Sequence, residues 1–591
     1  MMKRYLITII AATMFAATLV AAQPAADWRD TGVDATGRTC IDGAVPDTLL
    51  RVDGGVTLYQ GRTVATNWRT GAAHTITTPF NYCADDGSLV NWRPKTNDAT
   101  LFSSIPDATM MTVYAPLPPA LASDGVRRMY SFDSDGLTVV NADGTTTSTP
   151  LPVVLGALSL VVTPIDGRAL YLLAVDITDR VPRNTANYTI TIFFSADAGA
   201  TWSQKFSGSA QGSASGPPYV ELNALDGAEQ PAGTMQLIIA QGIPGSSNTT
   251  RVLLSTDAAA SFRDVGTRGL GSSTYLYGTR DGVVRFTRVD YGYALELTRD
   301  DGASWEPLAL PPGPSSTLYG ITPQLTVARA APATLALADG NGTWISADNG
   351  RSWQQVATTP RNELRFTPYL PLTLTGTQNG TLHTLAIADP GTALTTARPP
   401  LHAAGFAPET GQTIAPAFLP YWQANGGLAQ FGYPRTAAFR EVSATDRRVY
   451  LVQYFERNRF EYHPELAGTQ YEVLLGLLGV QAAQGRANAA PFMAKPDPQQ
   501  PGEIYFAATG HSVRNSFLRA WRTGGGLALY GYPISDEFVE RNPEDGREYV
   551  VQYFERNRFE YHPEQAGTPY EVLFGLLGND LLRQKGWLGA P

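Results

Sequence analysis

The chain has 591 residues, of which 16% are charged, and a formal net charge of −9. Its length exceeds what one compact core holds, so at least two domains are expected. The sequence contains no basic stripe of the kind that binds nucleic acid, and its many glycines (57) and prolines (42) favour short strands joined by tight turns. We therefore expect a mainly β fold.

The first 22 residues have the pattern of a signal peptide. Met1–Arg4 is basic, Tyr5–Val20 is apolar, and Val20-Ala21-Ala22 provides small residues for cleavage. An N-terminal membrane anchor is the alternative, but the apolar run is short for a span. We expect an exported protein, extracellular or at the cell surface, with no membrane span in the mature chain.

The chain has two cysteines, Cys40 and Cys83. An even number of cysteines in an oxidising compartment favours a disulfide between them, and two separately buried thiols are the alternative. Neither cysteine lies in a CxxC or histidine-rich cluster, so no metal, redox site or cofactor is expected.

A short motif with the pattern S/T-x-D-x-G-x-S/T-aromatic recurs in the middle of the chain. Its copies start 60, 43 and 48 residues apart, and the second copy has Ala259 in place of the glycine. The motif residues are Ser195, Asp197, Gly199 and Trp202; Asp257 and Phe262; Asp300, Gly302 and Trp305; and Ser346, Asp348, Gly350 and Trp353.

Each copy is predicted to be the turn of a β-hairpin. The aspartate can accept hydrogen bonds from backbone N–H groups of the turn, and the glycine can adopt φ > 0. The flanking segments Tyr188–Phe194 and Ala294–Leu297 are predicted strands. The final aromatic ring is large enough to anchor the hairpin between neighbouring sheets. We therefore assign these aspartates to turn formation and not to catalysis or metal binding.

The motif resembles the Asp-box, or bacterial neuraminidase repeat, of sialidases and sortilin-type receptors. The resemblance implies a β-propeller over residues 27–400, with the boxes on its periphery and away from the central site. The spacing of the copies suits four-stranded blades. This span has room for six to eight blades, and we favour seven.

The C-terminal part contains two copies of a second sequence, 99 residues apart. The stretch QYFERNRFEYHPE at Gln453–Glu465 recurs without change at Gln552–Glu564. We call residues 406–479 module 1 and residues 505–578 module 2, and predict that each is a small α+β unit. Residues 480–504, rich in Ala, Gln and Pro, are predicted to be a linker.

Within module 1, the pattern predicts a helix at Phe418–Ala424, strands within Tyr450–Tyr462 and a second helix at Tyr471–Leu478. Glu461 and His463 would share one face of a strand. A catalytic or metal-binding role for such a pair is possible in principle. We favour a cross-strand ion and hydrogen-bond network that stabilises the module.

The Gly531-Tyr532-Pro533 turn and the following Ile534–Glu537 resemble the LGFP repeat of surface-associated bacterial proteins. The FERNRFEYHPE stretch looks like a recurring tail of exported bacterial proteins. These resemblances imply that the modules serve in attachment or interaction.

Three functions follow from these resemblances: a non-catalytic protein that binds a surface polysaccharide or protein, a sialidase-like exo-glycoside hydrolase, and a propeller of the photosystem-assembly type. Sialidases of this fold carry a Phe/Tyr-Arg-Ile-Pro motif near the start of the propeller. Here the corresponding region offers only Arg93 followed by Pro94. We favour the binding protein, assign no catalytic residue, and leave the oligomeric state open.

Overall fold

The computed structural model of the protein describes residues 28–589 with internal gaps. The gaps are residues 37–38, 42–45, 54–61, 77–81, 84–88, 95–108, 115–128, 134–135, 141–144, 153–156, 163–169, 182–184, 198, 214–218, 225–234, 242–248, 256, 258, 270–271, 280, 290–291, 301, 312–322, 329, 332, 388–404, 416, 464–465 and 467–468. The expected signal peptide lies outside the described residues.

Residues 28–386 form antiparallel sheets in which consecutive strands are neighbours. The first four sheets, in chain order, contain β2–β5, β6–β11, β12–β15 and β16–β23. Their strands are β1 (Arg29–Asp34), β2 (Thr39–Ile41), β3 (Thr48–Asp53), β4 (Arg62–Asn67), β5 (Ala73–Ile76), β6 (Tyr82–Cys83), β7 (Leu89–Pro94), β8 (Thr109–Tyr114), β9 (Met129–Asp133), β10 (Gly136–Val140), β11 (Thr146–Thr149), β12 (Ala157–Val162), β13 (Leu170–Val181), β14 (Thr185–Ser195), β15 (Ser203–Ser213), β16 (Tyr219–Ala224), β17 (Met235–Gln241), β18 (Thr249–Ser255), β19 (Arg263–Gly269), β20 (Ser272–Thr279), β21 (Gly282–Val289), β22 (Gly292–Thr298) and β23 (Glu306–Pro307).

The eight-stranded sheet divides naturally into two four-stranded halves, because β19 and β20 are joined by only two residue pairs. Two further four-stranded sheets follow it. Their strands are β24 (Gln324–Val327), β25 (Leu335–Asp339), β26 (Gly342–Ser346), β27 (Gln354–Ala357), β28 (Asn362–Phe366), β29 (Thr373–Gln378) and β30 (Thr381–Ala386). The protein is therefore mainly β, as the sequence predicts.

Strand β1 completes the last of these sheets. It pairs antiparallel with β30, so that Arg29 lies opposite Thr384 and Asp34 opposite Thr381. The sheet order is β1-β30-β29-β28. The two ends of this region are thus hydrogen-bonded to each other, although more than 340 residues of chain separate Arg29 from Thr384 by number.

Cys40 lies on β2 and is completely buried, whereas the side chain of Cys83 lies outside the described residues. The disulfide therefore stays a prediction. Digestion of the non-reduced chain is expected to yield one peptide pair joined through Cys40 and Cys83. Reduction should then lower the free energy of unfolding by roughly 4 kcal/mol in the chain-entropy picture of a loop this long. Alkylation of both thiols in denaturant without reductant would contradict it.

The tail, residues 405–589, contains the two modules and α+β elements in each. Module 1 is followed by one helix and a short 3₁₀ helix, Ala490–Phe492. The elements up to that point are β31 (Phe406–Ala407), β32 (Gln412–Thr413), α1 (Leu419–Ala424), α2 (Gly427–Phe431), β33 (Phe439–Val442), β34 (Val449–Tyr454), β35 (Arg459–Tyr462), β36 (Val473–Leu475) and α3 (Leu478–Ala482).

Module 2 repeats this order of elements. It also contains a 3₁₀ helix, Pro563–Gln565. Its elements are β37 (Glu503–Phe506), β38 (His511–Arg514), α4 (Asn515–Thr523), α5 (Gly526–Tyr530), β39 (Phe538–Arg541), β40 (Glu548–Tyr553), β41 (Arg558–Tyr561), β42 (Val572–Phe574) and α6 (Leu577–Gln584).

The helix predicted at Tyr471–Leu478 is wrong. Residues Val473–Leu475 form a strand that pairs with β35, and the helix begins only at Leu478. The apolar side chains of this segment are consistent with either structure when they are read alone. The free edge of β35 decides between them, because it offers hydrogen bonds to an extended chain.

The two modules pack against each other through reciprocal contacts. The side-chain amide of Asn458 donates to Asn557 Oδ1 over 3.3 Å, and that of Asn557 donates to Asn458 Oδ1 over 3.5 Å. The Arg457 guanidinium donates to the carbonyl oxygen of Phe574, and Arg556 donates to the equivalent Leu475, each over 3.2 Å. The modules share one buried aromatic core, so they form a pseudo-symmetric pair.

The segment that follows each module reaches across to the other module. Lys585 Nζ lies 2.9 Å from Glu441 Oε1 of module 1, and the Arg486 guanidinium lies 2.9 Å from Glu540 Oε1 of module 2. These residues hold equivalent places in the 99-residue repeat. Residues 480–504 are therefore a folded crossing segment, and they also pack Phe492 against Tyr553 with ring centroids 5.4 Å apart.

Module 1 is also attached to the last sheet of the β region. The backbone N–H of Leu370 donates to the carbonyl oxygen of Arg440 over 2.8 Å, and that of Val442 donates to Leu370 over 2.9 Å. Leu370 and its sheet share a buried core with Tyr454 and Trp587. The tail is therefore fixed to the β region both by backbone bonds and by apolar packing.

Candidate functional sites

The four motif turns share one hydrogen-bond network, which the third copy illustrates. The Thr298 hydroxyl donates to Asp300 Oδ1 over 2.9 Å and accepts from the N–H of Gly302 over 2.8 Å. Ser304 donates its N–H to Asp300 Oδ1 over 2.8 Å and its hydroxyl to Oδ2 over 2.6 Å. The aspartate thus has both oxygens engaged within its own turn.

The same four bonds recur in the other copies, with distances between 2.6 and 3.0 Å; their aspartates are Asp197, Asp257 and Asp348. The glycine position has φ of +88° at Gly199, and Ala259 adopts φ of +65° in the degenerate copy. Alanine in this region carries steric strain, so the remaining network of that turn must hold it in place.

The aromatic residue that ends each motif contacts neighbouring structure. The Phe262 ring meets that of Phe206 on β15 edge-on, with centroids 4.9 Å apart. Trp353 donates its indole N–H to the carbonyl oxygen of Ala309 over 2.9 Å. Trp305 lies under the guanidinium of Arg285, 4.0 Å from the ring centroid, and Trp202 is half-buried. The Phe262 and Trp353 rings therefore reach residues outside their own sheets, whereas the Trp305 contact lies within one sheet.

The pKa of Asp300 falls to about 2, because the Ser304 hydroxyl and then the Ser304 N–H stabilise the carboxylate. A depressed folded-state pKa contributes stability that is complete above the unfolded value of 3.8 and is lost as the pH falls through about 2. Asp300→Asn should therefore lower the Tm of the mature chain most at neutral pH, and the difference should shrink between pH 4 and pH 2. Calorimetry over this range measures it.

Ser304→Ala is the matched control for that prediction. It removes the first hydrogen-bond donor and leaves the carboxylate, so the acid loss of stability should be smaller and should end at a higher pH than in the unsubstituted chain. A difference in Tm between Asp300→Asn and the unsubstituted chain that stays constant from pH 7 to pH 2 would contradict this account.

The arginines of β21 do not converge on a shared centre. Arg285 and Arg288 are three residues apart, so they lie on opposite faces of the strand. The Arg285 guanidinium pairs with Glu296 over 2.8 Å, and Arg288 donates to the Tyr275 hydroxyl over 2.8 Å. Both are thus engaged by their own sheet and are poorly placed to hold a substrate carboxylate together.

A buried charge cluster lies in each module, and we define that of module 1 as Glu441, Tyr454, Arg459, Glu461 and His463. The Tyr454 hydroxyl donates to Glu441 Oε2 over 2.8 Å, and Arg459 lies 3.1 Å from the same oxygen. Arg459 also pairs with Glu461, whose Oε2 lies 3.6 Å from His463 Nε2. Cross-strand pairing of β33, β34 and β35 brings these side chains together.

The electrostatics of this cluster favour a structural role. Burial, and then the charge of Glu441, raises the pKa of Tyr454 to about 12, which keeps the phenol protonated. A tyrosine nucleophile needs the opposite shift or an adjacent base that reaches solvent. Burial would raise the pKa of Glu461, but His463 and Arg459 outweigh it and lower that pKa. Arg459 and Glu461 thus form a buried ion pair.

The sequence singled out Glu461 and His463 but missed Glu441, which belongs to the cluster, and Lys585, which pairs with Glu441. Both lie outside the unchanged QYFERNRFEYHPE stretch, and Lys585 comes from beyond module 2. A signal was nevertheless present, because Glu441 and Lys585 align with Glu540 and Arg486 at the 99-residue offset. Across the described residues no group of three or more His, Cys, Asp or Glu could hold a metal ion.

No protein-family model matches the chain, and no curated protein matches it either. Similar solved structures include YCF48 bound to a D1 peptide, with 14% identity, coverage of 61% of this chain and 96% of that one, and a TM-score of 0.30. A GH74 xyloglucanase from Xanthomonas campestris has 14% identity, coverage of 59% of each chain and a TM-score of 0.25.

A third similar structure is an α-L-arabinofuranosidase from Fusarium graminearum with an iminosugar inhibitor. It has 11% identity, coverage of 61% of this chain and 97% of that one, and a TM-score of 0.22. All three are β-propeller-type proteins. TM-scores this low do not assign a function to this chain. Within the described ranges, no helix is both long and apolar enough to cross a membrane.

Proposed function

We propose that the chain is an exported, non-catalytic β-propeller protein that binds a surface polysaccharide or protein, with the tail serving in attachment. The observation that supports the propeller is the succession of antiparallel sheets, four of the six with four strands, closed by β1 on β30. Propellers of this kind join their first and last blades by such a pairing. The four Asp-box-like turns, whose aspartates accept hydrogen bonds from residues of their own turn, fit the same architecture.

The proposed propeller has seven blades. Six are the sheets β2–β5, β12–β15, β24–β27 and β28–β30 with β1, and the two halves of β16–β23. The six-stranded sheet β6–β11 makes the seventh.

The partners of the arginines of β21 and of Tyr454 support the proposal that the chain is not a sialidase-like enzyme. A sialidase-like mechanism requires arginines that converge on a carboxylate and a tyrosine activated by a carboxylate. Arg285 and Arg288 instead serve their own sheet. The Tyr454–Glu441 pair lies in the tail, where Tyr454 is completely buried.

Retention on cell-envelope material tests the binding role. The purified mature chain is mixed with washed envelopes, with extracted polysaccharide and with protease-treated envelopes, and the bound fraction is measured. We expect retention on at least one fraction and no sugar released from a fluorogenic sialoside or from xyloglucan. Loss of retention on every fraction, or turnover above that of heat-denatured protein, would overturn the proposal.

A further inference from the structure

Modules 1 and 2 contain the same edge strand in the same register. Phe439 pairs with Val452 in module 1, and Phe538 pairs with Val551 in module 2, each 99 residues further along the chain. The outward-facing backbone groups of β33 and β39 therefore correspond one to one. In both sheets this strand lies at the edge of a four-stranded order.

In module 1 that edge is occupied. Leu370, from the last sheet of the β region, forms a parallel bridge with Glu441, using the outward carbonyl of Arg440 and the outward N–H of Val442. The side chain of Leu370 is buried, and Pro371 follows it. Leu370 is the one residue among those described that bridges to this edge, so a single apolar residue anchors the contact.

In module 2 none of the described residues bridges to the corresponding edge. The groups equivalent to those that hold Leu370 are the carbonyl of Val539 and the N–H of Arg541. Val539 is 61% exposed, whereas the equivalent Arg440 is only 9% exposed. The unpaired N–H and C=O groups of a strand edge are a template for another strand, and the exposed Val539 side chain adds apolar surface that such a strand would bury.

We propose that the β39 edge, Phe538–Arg541, binds an extended segment of a partner protein. The segment would carry an apolar residue followed by proline, like the Leu370-Pro371 pair that occupies module 1. Its apolar residue would accept a hydrogen bond from Arg541 N–H, donate one to the Val539 carbonyl, and cover the Val539 side chain. This is recognition by addition of a strand, with one anchoring side chain for specificity.

The inference rests on the attachment role proposed for the tail and names the class of partner. Binding of a purified peptide tests it independently of envelope retention, so either can fail alone. The probe is a labelled synthetic peptide with the sequence of residues 366–374, titrated with the full mature chain. A second peptide, which carries aspartate at the position of Leu370, serves as the negative control.

Two variants remove different parts of the edge. Val539→Asp places a charge on an exposed side chain, and Arg541→Pro removes the outward N–H while an edge strand tolerates proline. Each should weaken binding of the peptide at least tenfold. Tyr570→Asp is the control, because Tyr570 is also 61% exposed but lies away from the edge, and its affinity should match that of the unsubstituted chain.

Saturable binding of the first peptide, lost with the aspartate peptide and with both edge variants, would support the proposal. Equal binding by Val539→Asp, or no binding at millimolar peptide, would overturn it. Analytical ultracentrifugation of the chain without peptide tests whether the edge instead joins two copies of the chain. A concentration-dependent dimer that disappears in Val539→Asp would assign the edge to a second copy of the chain and overturn the partner proposed here.

Discussion

Replacing Gly578 with alanine is expected to separate the two modules of the tail. A Cβ at this position would lie 1.9 Å from the carbonyl oxygen of Phe455 in the other module, a distance at which backbone must move. Gly479 has the same relation to Phe554, at 1.8 Å. Because backbone cannot yield as a flexible side chain does, each substitution should lower the free energy of unfolding of the tail by roughly 3 kcal/mol or more.

Native-state hydrogen exchange of the mature chain measures this loss, since it resolves the tail from the β region. Gly589→Ala is the matched control, because no atom lies within 4 Å of the added Cβ and the backbone there is not strained. Protection of the β35 and β41 amides should fall in Gly578→Ala and stay unchanged in Gly589→Ala. Equal protection in both variants would contradict the pairing of the modules.

Arg459→Met should destabilise module 1 almost as strongly. The Arg459 side chain is only 4% exposed and pairs with both Glu441 and Glu461. Its removal leaves carboxylates in a buried site with fewer partners, which costs about 3–5 kcal/mol when one member of a buried pair is removed. Hydrogen exchange of the β34 and β35 amides measures the loss in the free energy of unfolding of module 1.

The pH dependence distinguishes this mechanism from lost packing. Without Arg459, burial should raise the pKa of the Glu461 carboxyl, so the variant should regain stability relative to the unsubstituted chain as the pH is lowered towards 5. Arg448→Met is the control: Arg448 is 36% exposed and pairs with Asp446 over 3.6 Å, so its loss should cost below about 1 kcal/mol. A pH-independent loss in Arg459→Met would contradict the charge explanation.

The sequence predicts local structure well where one turn or strand determines its own geometry. The motif aspartates bind groups within four residues, so their pattern is readable without the fold. The strands predicted at Tyr188–Phe194 and Ala294–Leu297 likewise lie within the observed Thr185–Ser195 and Gly292–Thr298.

Prediction failed where distant segments decide the outcome. The strand Val473–Leu475 forms because β35 offers an edge, and the predicted helix could not account for that partner. Nothing in the linker-like composition of residues 480–504 predicts that Arg486 pairs with Glu540 of module 2. A local sequence pattern does not indicate which residue will contact the other module. The one indication in the sequence is that Arg486 and Lys585 occupy equivalent positions of the 99-residue repeat.

The exchange of Arg486 and Lys585 between the modules has a consequence for how chains associate. The crossing segment acts as a tether that keeps each module at an effective concentration of about millimolar around its neighbour. Pairing within one chain therefore outcompetes pairing between chains at ordinary protein concentrations. The same interface would join two molecules by domain swapping if the tether were too short to let its own modules meet.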